Sequence, residues 1–346
     1  MAPAVLLVIF GVLTLSGCVT SRRDRDVASG YYDLGNAYVE LGKYDKAITE
    51  FEAALKIDPG FVKADYNLAL AYAHTNRAAD AIGVLKRLLA ADPQNTLLLS
   101  ALGWAYHLAG RDEDALAQYT AVIGLSPADL NALYNSGIIL WKLKRPHDAM
   151  DRFTALLAIA PDDTDALYAA GSLLLSLDEA AASGDMLSRY LQKKPTDTEG
   201  WYLLAAGAER LKKYSRALEA YDKILAIDPA QGDAWFGETR LLLTVVEDPQ
   251  RGLDALGKAL GAGFKDTKAV KALLDSPGLL ERDKVEAALK DRGLLPEQAP
   301  PEKPSAGIPP AATQPAATPP AATPSDAAPP PATTPAAPDT KPAPAP

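Results

Sequence analysis

One cysteine, Cys18, stands directly after Leu15, Ser16 and Gly17 at the end of an apolar run. Its thiol is a nucleophile, and the small residues before it leave the backbone open to a processing enzyme. As the one cysteine of the chain it forms neither an internal disulfide nor a cysteine-rich metal site. The three histidines, His74, His107 and His147, have no second ligand at metal-binding spacing. No Gly-rich phosphate loop follows a strand pattern, and the carboxylates lie on helical faces where solvated pairing is their ordinary use. No metal, cofactor or catalytic set is expected. What remains is a column of aromatic and amide side chains. Tyr32, Tyr66, Tyr134, Tyr168 and Tyr202 are spaced by 34 residues or twice that, with Asn36, Trp104, His107 and Trp141 among them. Rings of this kind anchor peptides, because they offer large contact area at low entropic cost.

Elements that hold such a column must repeat with the same period. Six prolines do so: Pro59, Pro93, Pro127, Pro161, Pro195 and Pro229 are each 34 residues apart. A 34-residue period is that of a helix–turn–helix repeat. With each proline taken as position 32, repeats run 28–61, 62–95, 96–129, 130–163, 164–197 and 198–231. Position 8 reads Gly35, Ala69, Gly103, Gly137, Gly171 and Ala205, and position 20 reads Ala47, Ala81, Ala115, Ala149, Ser183 and Ala217. All twelve are small, so the two helices of each repeat can cross closely there. Position 24 is always large: Phe51, Leu85, Tyr119, Phe153, Leu187 and Tyr221. Gly42 and Gly110 suit a left-handed residue ending a first helix, and Asp58-Pro59, Asp92-Pro93 and Asp228-Pro229 end second helices.

This pattern resembles the tetratricopeptide repeat (TPR) superfamily from Ala28 to Gly263. The resemblance implies an all-α, right-handed superhelical solenoid. A degenerate seventh repeat (232–265) is expected, its second helix (Pro249 to Leu260) displaced by about one turn. Two amphipathic segments, Thr267–Leu274 and Leu279–Lys290, are expected to cap the end within 266–295, since a solenoid must cover its last apolar face. In the family, first helices line a concave groove at positions 2, 5, 9 and 12. That places Tyr32, Asn36, Tyr66, Trp104, His107, Tyr134, Trp141, Tyr168 and Tyr202 as partner-binding residues. Trp201 and Trp235, at position 4, read as packing residues. A carboxylate clamp of the co-chaperone type is not expected. Asn36, Lys63 and Asn67 fall at clamp-like places, but Tyr32, Leu97 and Ala101 replace the remaining basic members.

The apolar run Ala4–Leu15 is too short for a membrane-spanning helix, which needs roughly 20 residues, and suits a signal peptide. Leu15-Ser16-Gly17-Cys18 resembles the lipobox of bacterial lipoproteins, although no Lys or Arg precedes the run. The resemblance implies a signal peptide over 1–17 and diacylglycerol and palmitate-type chains on Cys18. It also implies a lipidated linker over 18–27. Val19, where an inner-membrane retention signal has Asp, implies anchoring in the outer membrane with the repeats facing the periplasm.

The remaining composition narrows the partners. A net charge of −9 without a basic stripe argues against nucleic acid. Eighteen of the 28 prolines fall in 296–346, a Pro/Ala/Thr segment with no aromatic residue, expected to be disordered. As polyproline II its contour approaches roughly 160 Å. Lipobox and repeats together resemble lipoproteins of type IV pilus biogenesis (pilotin-type) and adaptors of cell-wall hydrolases. The function expected is an envelope scaffold holding a segment of another envelope protein in the groove. The alternative is a peptidoglycan-contacting lipoprotein that acts through its tail, with the repeats used for self-association into a homo-oligomer.

Overall fold

The computed structural model describes residues 21–295; the apolar run, Cys18 and the Pro/Ala/Thr segment lie outside the described residues. Sixteen helices and no strand occur among the described residues, as the period predicts. Their internal contacts divide them into two units that meet in sequence at Pro127 and Ala128. The first unit holds α1 (Arg22–Glu40), α2 (Tyr44–Ile57), α3 (Val62–His74), α4 (Ala78–Ala91), α5 (Thr96–Leu108) and α6 (Asp112–Leu125). The second holds α7 (Leu130–Lys142), α8 (Pro146–Ile159), α9 (Thr164–Ser176), α10 (Ala180–Lys193), α11 (Thr198–Arg210) and α12 (Tyr214–Ile227). It continues with α13 (Gly232–Thr244), α14 (Pro249–Gly261), α15 (Thr267–Leu274) and α16 (Arg282–Asp291). Within each unit, helices pack chiefly on their neighbours in sequence.

The small residues do what their spacing requires. A Cβ on Gly35 would lie 2.5 Å from the Phe51 ring, and one on Gly137 would lie 2.6 Å from Phe153. The position-24 side chain therefore occupies the space a larger residue would need. Ser183, the one departure from alanine at position 20, is buried and donates its hydroxyl to Gly171 O at 2.7 Å.

The turn inside each repeat has one geometry and several sequences. Position 15 is left-handed in all six: Gly42, Asn76, Gly110, Lys144, Asp178 and Lys212 have φ between +55° and +71°. In each case the next residue's N–H reaches the carbonyl five residues back, as in Lys43 N to Tyr38 O (2.8 Å) and Lys213 N to Ala208 O (2.8 Å). This satisfies carbonyls that the helix end leaves open. Four of the turns between repeats are closed by a cap two residues after the proline; those after Pro59 and Pro229 have no side-chain cap. Asn95, Asp129, Asp163 and Asp197 accept from the backbone N–H of Leu98, Ala132, Ala166 and Gly200.

Three expectations need correction. Residues 22–27 are helix rather than linker, because Ser21 and Asp24 form a capping box that starts α1 almost two turns early. The second helix of the seventh repeat is not displaced by a turn. The two helices of the sixth repeat start 16 residues apart, at Thr198 and Tyr214, and those of the seventh 17, at Gly232 and Pro249. One extra residue in the turn, with Glu247 at φ +60°, moves the helix on by one place. Gly252 and Leu256 then fill the small and large sites of positions 20 and 24, and a Cβ on Gly252 would lie 2.5 Å from Leu243. Finally, α16 begins at Arg282, not Leu279. Leu279 instead packs with Val270, Leu273, Val285 and Leu289 against Phe236, Leu256 and Phe264, which closes the apolar end.

Candidate functional site

In the first unit the column of tyrosines is mostly sealed by packing. Tyr32 is buried, with ring centroids 5.0 Å from Phe61 and 5.9 Å from Phe51. Tyr66 is 2% exposed and its hydroxyl has no hydrogen-bond partner; burial pushes its pKa up. Both were expected to contact a partner, and both are instead core side chains, Tyr32 covered by Phe51 and Phe61. Asn36 is partly buried and accepts from Asn67 Nδ2 at 2.8 Å, while the same amide donates to Tyr32 Oη at 3.2 Å. The amides thus tie α1 to α3.

What this unit leaves partly open is a different aromatic group. Trp104 meets His74 edge-on at 4.9 Å, and His74 stacks on Tyr44 at 4.3 Å with planes 5° apart. One turn after Trp104, His107 Nδ1 lies 2.6 Å from Asp112 Oδ1. The carboxylate orients the imidazole by accepting a hydrogen bond from Nδ1–H, which leaves Nε2 as the acceptor in the neutral ring. His74 and Tyr44 were not expected here; position 13 and the start of α2 meet only when repeats stack.

In the second unit Trp141 is partly exposed and has no ring partner among the described residues. Trp201 and Trp235 are packing residues in a specific sense. Their indole N–H groups donate to Pro195 O and Pro229 O, each at 2.9 Å, and so close the turn before their own helices. Tyr134, Tyr168 and Tyr202 are partly buried, and each faces acids of the following repeat. Burial first, then Asp165 and Asp163, push Tyr134 up to about 12. Burial and then Glu199 raise Tyr168, and burial and then Asp233 push Tyr202 up to about 12. These hydroxyls therefore keep their protons at any working pH. The acids Asp165, Glu199 and Asp233 were not singled out by sequence reasoning. Their shared position 2 was the available signal, but only stacking shows which tyrosine each one faces.

Away from this face, Glu238 is buried on α13 and one of its oxygens has no partner. Burial, and after it the neighbouring Asp222 carboxyl, push its pKa up to about 7.

Sequence models described as tetratricopeptide repeat match residues 32–96, 85–129, 140–207 and 198–231, together more than half of the chain. The chain belongs to the tetratricopeptide repeat family. Solved TPR structures share its fold. PilF from Pseudomonas aeruginosa aligns with a TM-score of 0.52 at 20% identity, covering 60% of this chain and 95% of PilF. A TPR protein from Parabacteroides merdae aligns with a TM-score of 0.51 at 16% identity, covering 75% of this chain and 99% of that one. At such identities the likeness is one of fold alone. The search of curated proteins found no match. The TPR fold supports a scaffold for protein–protein contact, and TPR proteins are typically not enzymes.

Proposed function

We propose that this TPR protein is an adaptor of the bacterial envelope that holds a segment of another envelope protein against the first-helix faces of its repeats. In this reading acyl chains on Cys18 tether it to the outer membrane, the repeats face the periplasm, and the bound segment belongs to a machine under assembly. The observation that carries the binding reading is the partial exposure of Trp104 and Trp141, two indole rings on the first helices α5 and α7. Partly open aromatic rings are the usual anchors of protein interfaces. The tether is supported by the Leu15–Cys18 motif behind a short apolar run.

The test is crosslinking and capture of partners from membranes with the full-length chain and with Trp104→Ala and Trp141→Ala. Truncating a true anchor costs 2 kcal/mol or more, roughly a thirtyfold loss of affinity. Both variants should therefore lose a partner that the unaltered chain captures. Undiminished capture by both would sink the reading.

A further inference from the structure

Three places in the molecule hold chemistry that the fold does not use up: the Tyr44–His74–Trp104 group, the buried Glu238, and the first-helix face of α9, α11 and α13. The last carries an inference about the guest itself, and it rests on the binding function proposed above. Asp165, Glu199 and Asp233 occupy the same place in three successive repeats, and all three are exposed. None has a basic partner among the described residues, whereas Glu209 on α11 is neutralised by Arg240 at 2.6 Å and takes the Tyr221 hydroxyl at 2.8 Å. Two of the three carboxylates act on one hydroxyl, since Asp165 and Glu199 both help to raise Tyr190 after its burial and its bond to Asp197. Each of the three stands at position 2 of its repeat, in the first turn of its first helix.

Asp165 and Glu199 are not needed to start their helices. Asp163 and Asp197 already cap α9 and α11. The face is also not merely acidic. Tyr134, Tyr168 and Tyr202 run beside the carboxylates, so each carboxylate has a protonated, partly buried phenol next to it. On α9 the residues Asp165, Tyr168 and Ser172 follow at spacings of three and four, one stripe of the helix. Ser172 is 5% exposed and its hydroxyl has no hydrogen-bond partner. A polar group in the floor of the stripe is left without a use in the protein's own packing.

We propose that the second unit's first-helix face binds an extended, basic polypeptide segment with Lys or Arg at every third residue. The spacing follows from geometry. Packed helices lie about 8–10 Å apart, so the carboxylates recur at about that interval. A polyproline II chain rises about 3.1 Å per residue and returns to the same side every third residue, at about 9 Å. A basic side chain then meets each carboxylate, its aliphatic stem lies along the neighbouring tyrosine ring, and the guest backbone stays free to meet hydroxyls. The chain's own Pro-rich tail is a poor occupant, because it carries two lysines against four acids.

The experiment uses the full-length chain in detergent and a labelled peptide of repeated Lys-Pro-Ala, read by fluorescence anisotropy. Comparison peptides replace each Lys by Glu or gather the lysines at one end. The Lys-Pro-Ala peptide should bind, weaken with added salt, and bind better than the clustered peptide; the Glu peptide should not bind. Asp165→Asn/Glu199→Gln/Asp233→Asn should weaken it by about ten- to a hundredfold, since exposed pairs are each worth a factor of about two to five. Circular dichroism of that variant should match the unaltered chain. Equal binding of the Glu peptide, or an unaffected triple variant, overturns the proposal. If no basic peptide binds while Trp141→Ala still abolishes partner capture, the basic guest is refuted and the adaptor function stands. Loss of neither partner nor peptide on changing Trp104 and Trp141 instead removes the adaptor reading.

Discussion

Glycine at position 8 can be tested as the device that lets the two helices of a repeat meet. In Gly137→Ala the new Cβ would lie 2.6 Å from Phe153 Cε1, 3.0 Å from Cζ and 3.1 Å from Cδ1, and Phe153 is fully buried. Ordinary contact between such carbons needs about 3.5–4.0 Å, so the ring or the helix has to move by most of an ångström. Overpacking of this kind costs about 1–3 kcal/mol, and a rigid buried ring puts this case in the upper half of that range. Alanine returns about 1 kcal/mol through its better helix propensity. The net expectation is a loss of about 1–2 kcal/mol, measured as a lower denaturant midpoint by circular dichroism. Gly257→Ala is the matched control. Gly257 is exposed on α14 and a Cβ there meets nothing within 4 Å, so only the propensity gain remains and stability should rise by up to about 1 kcal/mol. Phe153→Leu should partly rescue Gly137→Ala, since the second repeat pairs Ala69 with Leu85 in the same way. If Gly137→Ala stabilises as much as Gly257→Ala, close approach is not what keeps glycine at position 8.

Two further outcomes follow from the turns and from Glu238. Lys212 holds φ +55° where other repeats use Gly42 and Gly110, so Lys212→Gly should raise stability by about 0.5–1 kcal/mol in denaturant unfolding, while Asn76→Gly should change little because asparagine tolerates this region; no gain at Lys212 would remove the strain argument. For Glu238, a folded pKa of about 7 above its usual 4.5 means that the folded state holds the proton more tightly. Its contribution is complete below pH 4.5 and is lost as pH rises to about 7. Glu238→Gln should therefore gain on the unaltered chain by about 3 kcal/mol between pH 4.5 and 8, and a difference that is flat with pH would contradict the buried acid.

The repeat was legible in the residues because its determinants are local or strictly periodic. A proline ends a helix wherever it stands, and small residues at positions 8 and 20 opposite a large one at 24 record a crossing that every repeat makes. The seventh repeat shows the limit of that reading. One added residue in its turn left Arg251 where alanine belonged, and only packing revealed Gly252 and Leu256 as the shifted pair. The turns show it as well. Tertiary packing holds Lys144 and Lys212 in a conformation that their side chains do not favour, so the glycines were a sufficient sign of the turn and not a necessary one.

The candidate binding residues depended far more on the fold. Position 5 is one place in the sequence, yet Tyr32 and Tyr66 are buried while Tyr134, Tyr168 and Tyr202 stay partly open, because exposure depends on the side chains that neighbouring repeats bring against each ring. The same holds for charge. Asp165, Glu199 and Asp233 look like ordinary first-turn acids along the chain, and become partners of tyrosines 31 residues earlier only once adjacent first helices lie side by side. Sequence alone determined the period, the helix class and the crossing points, since these repeat what each residue does to its own backbone. Which rings and carboxylates face a guest was decided by stacking, since exposure is a property of neighbours rather than of residues.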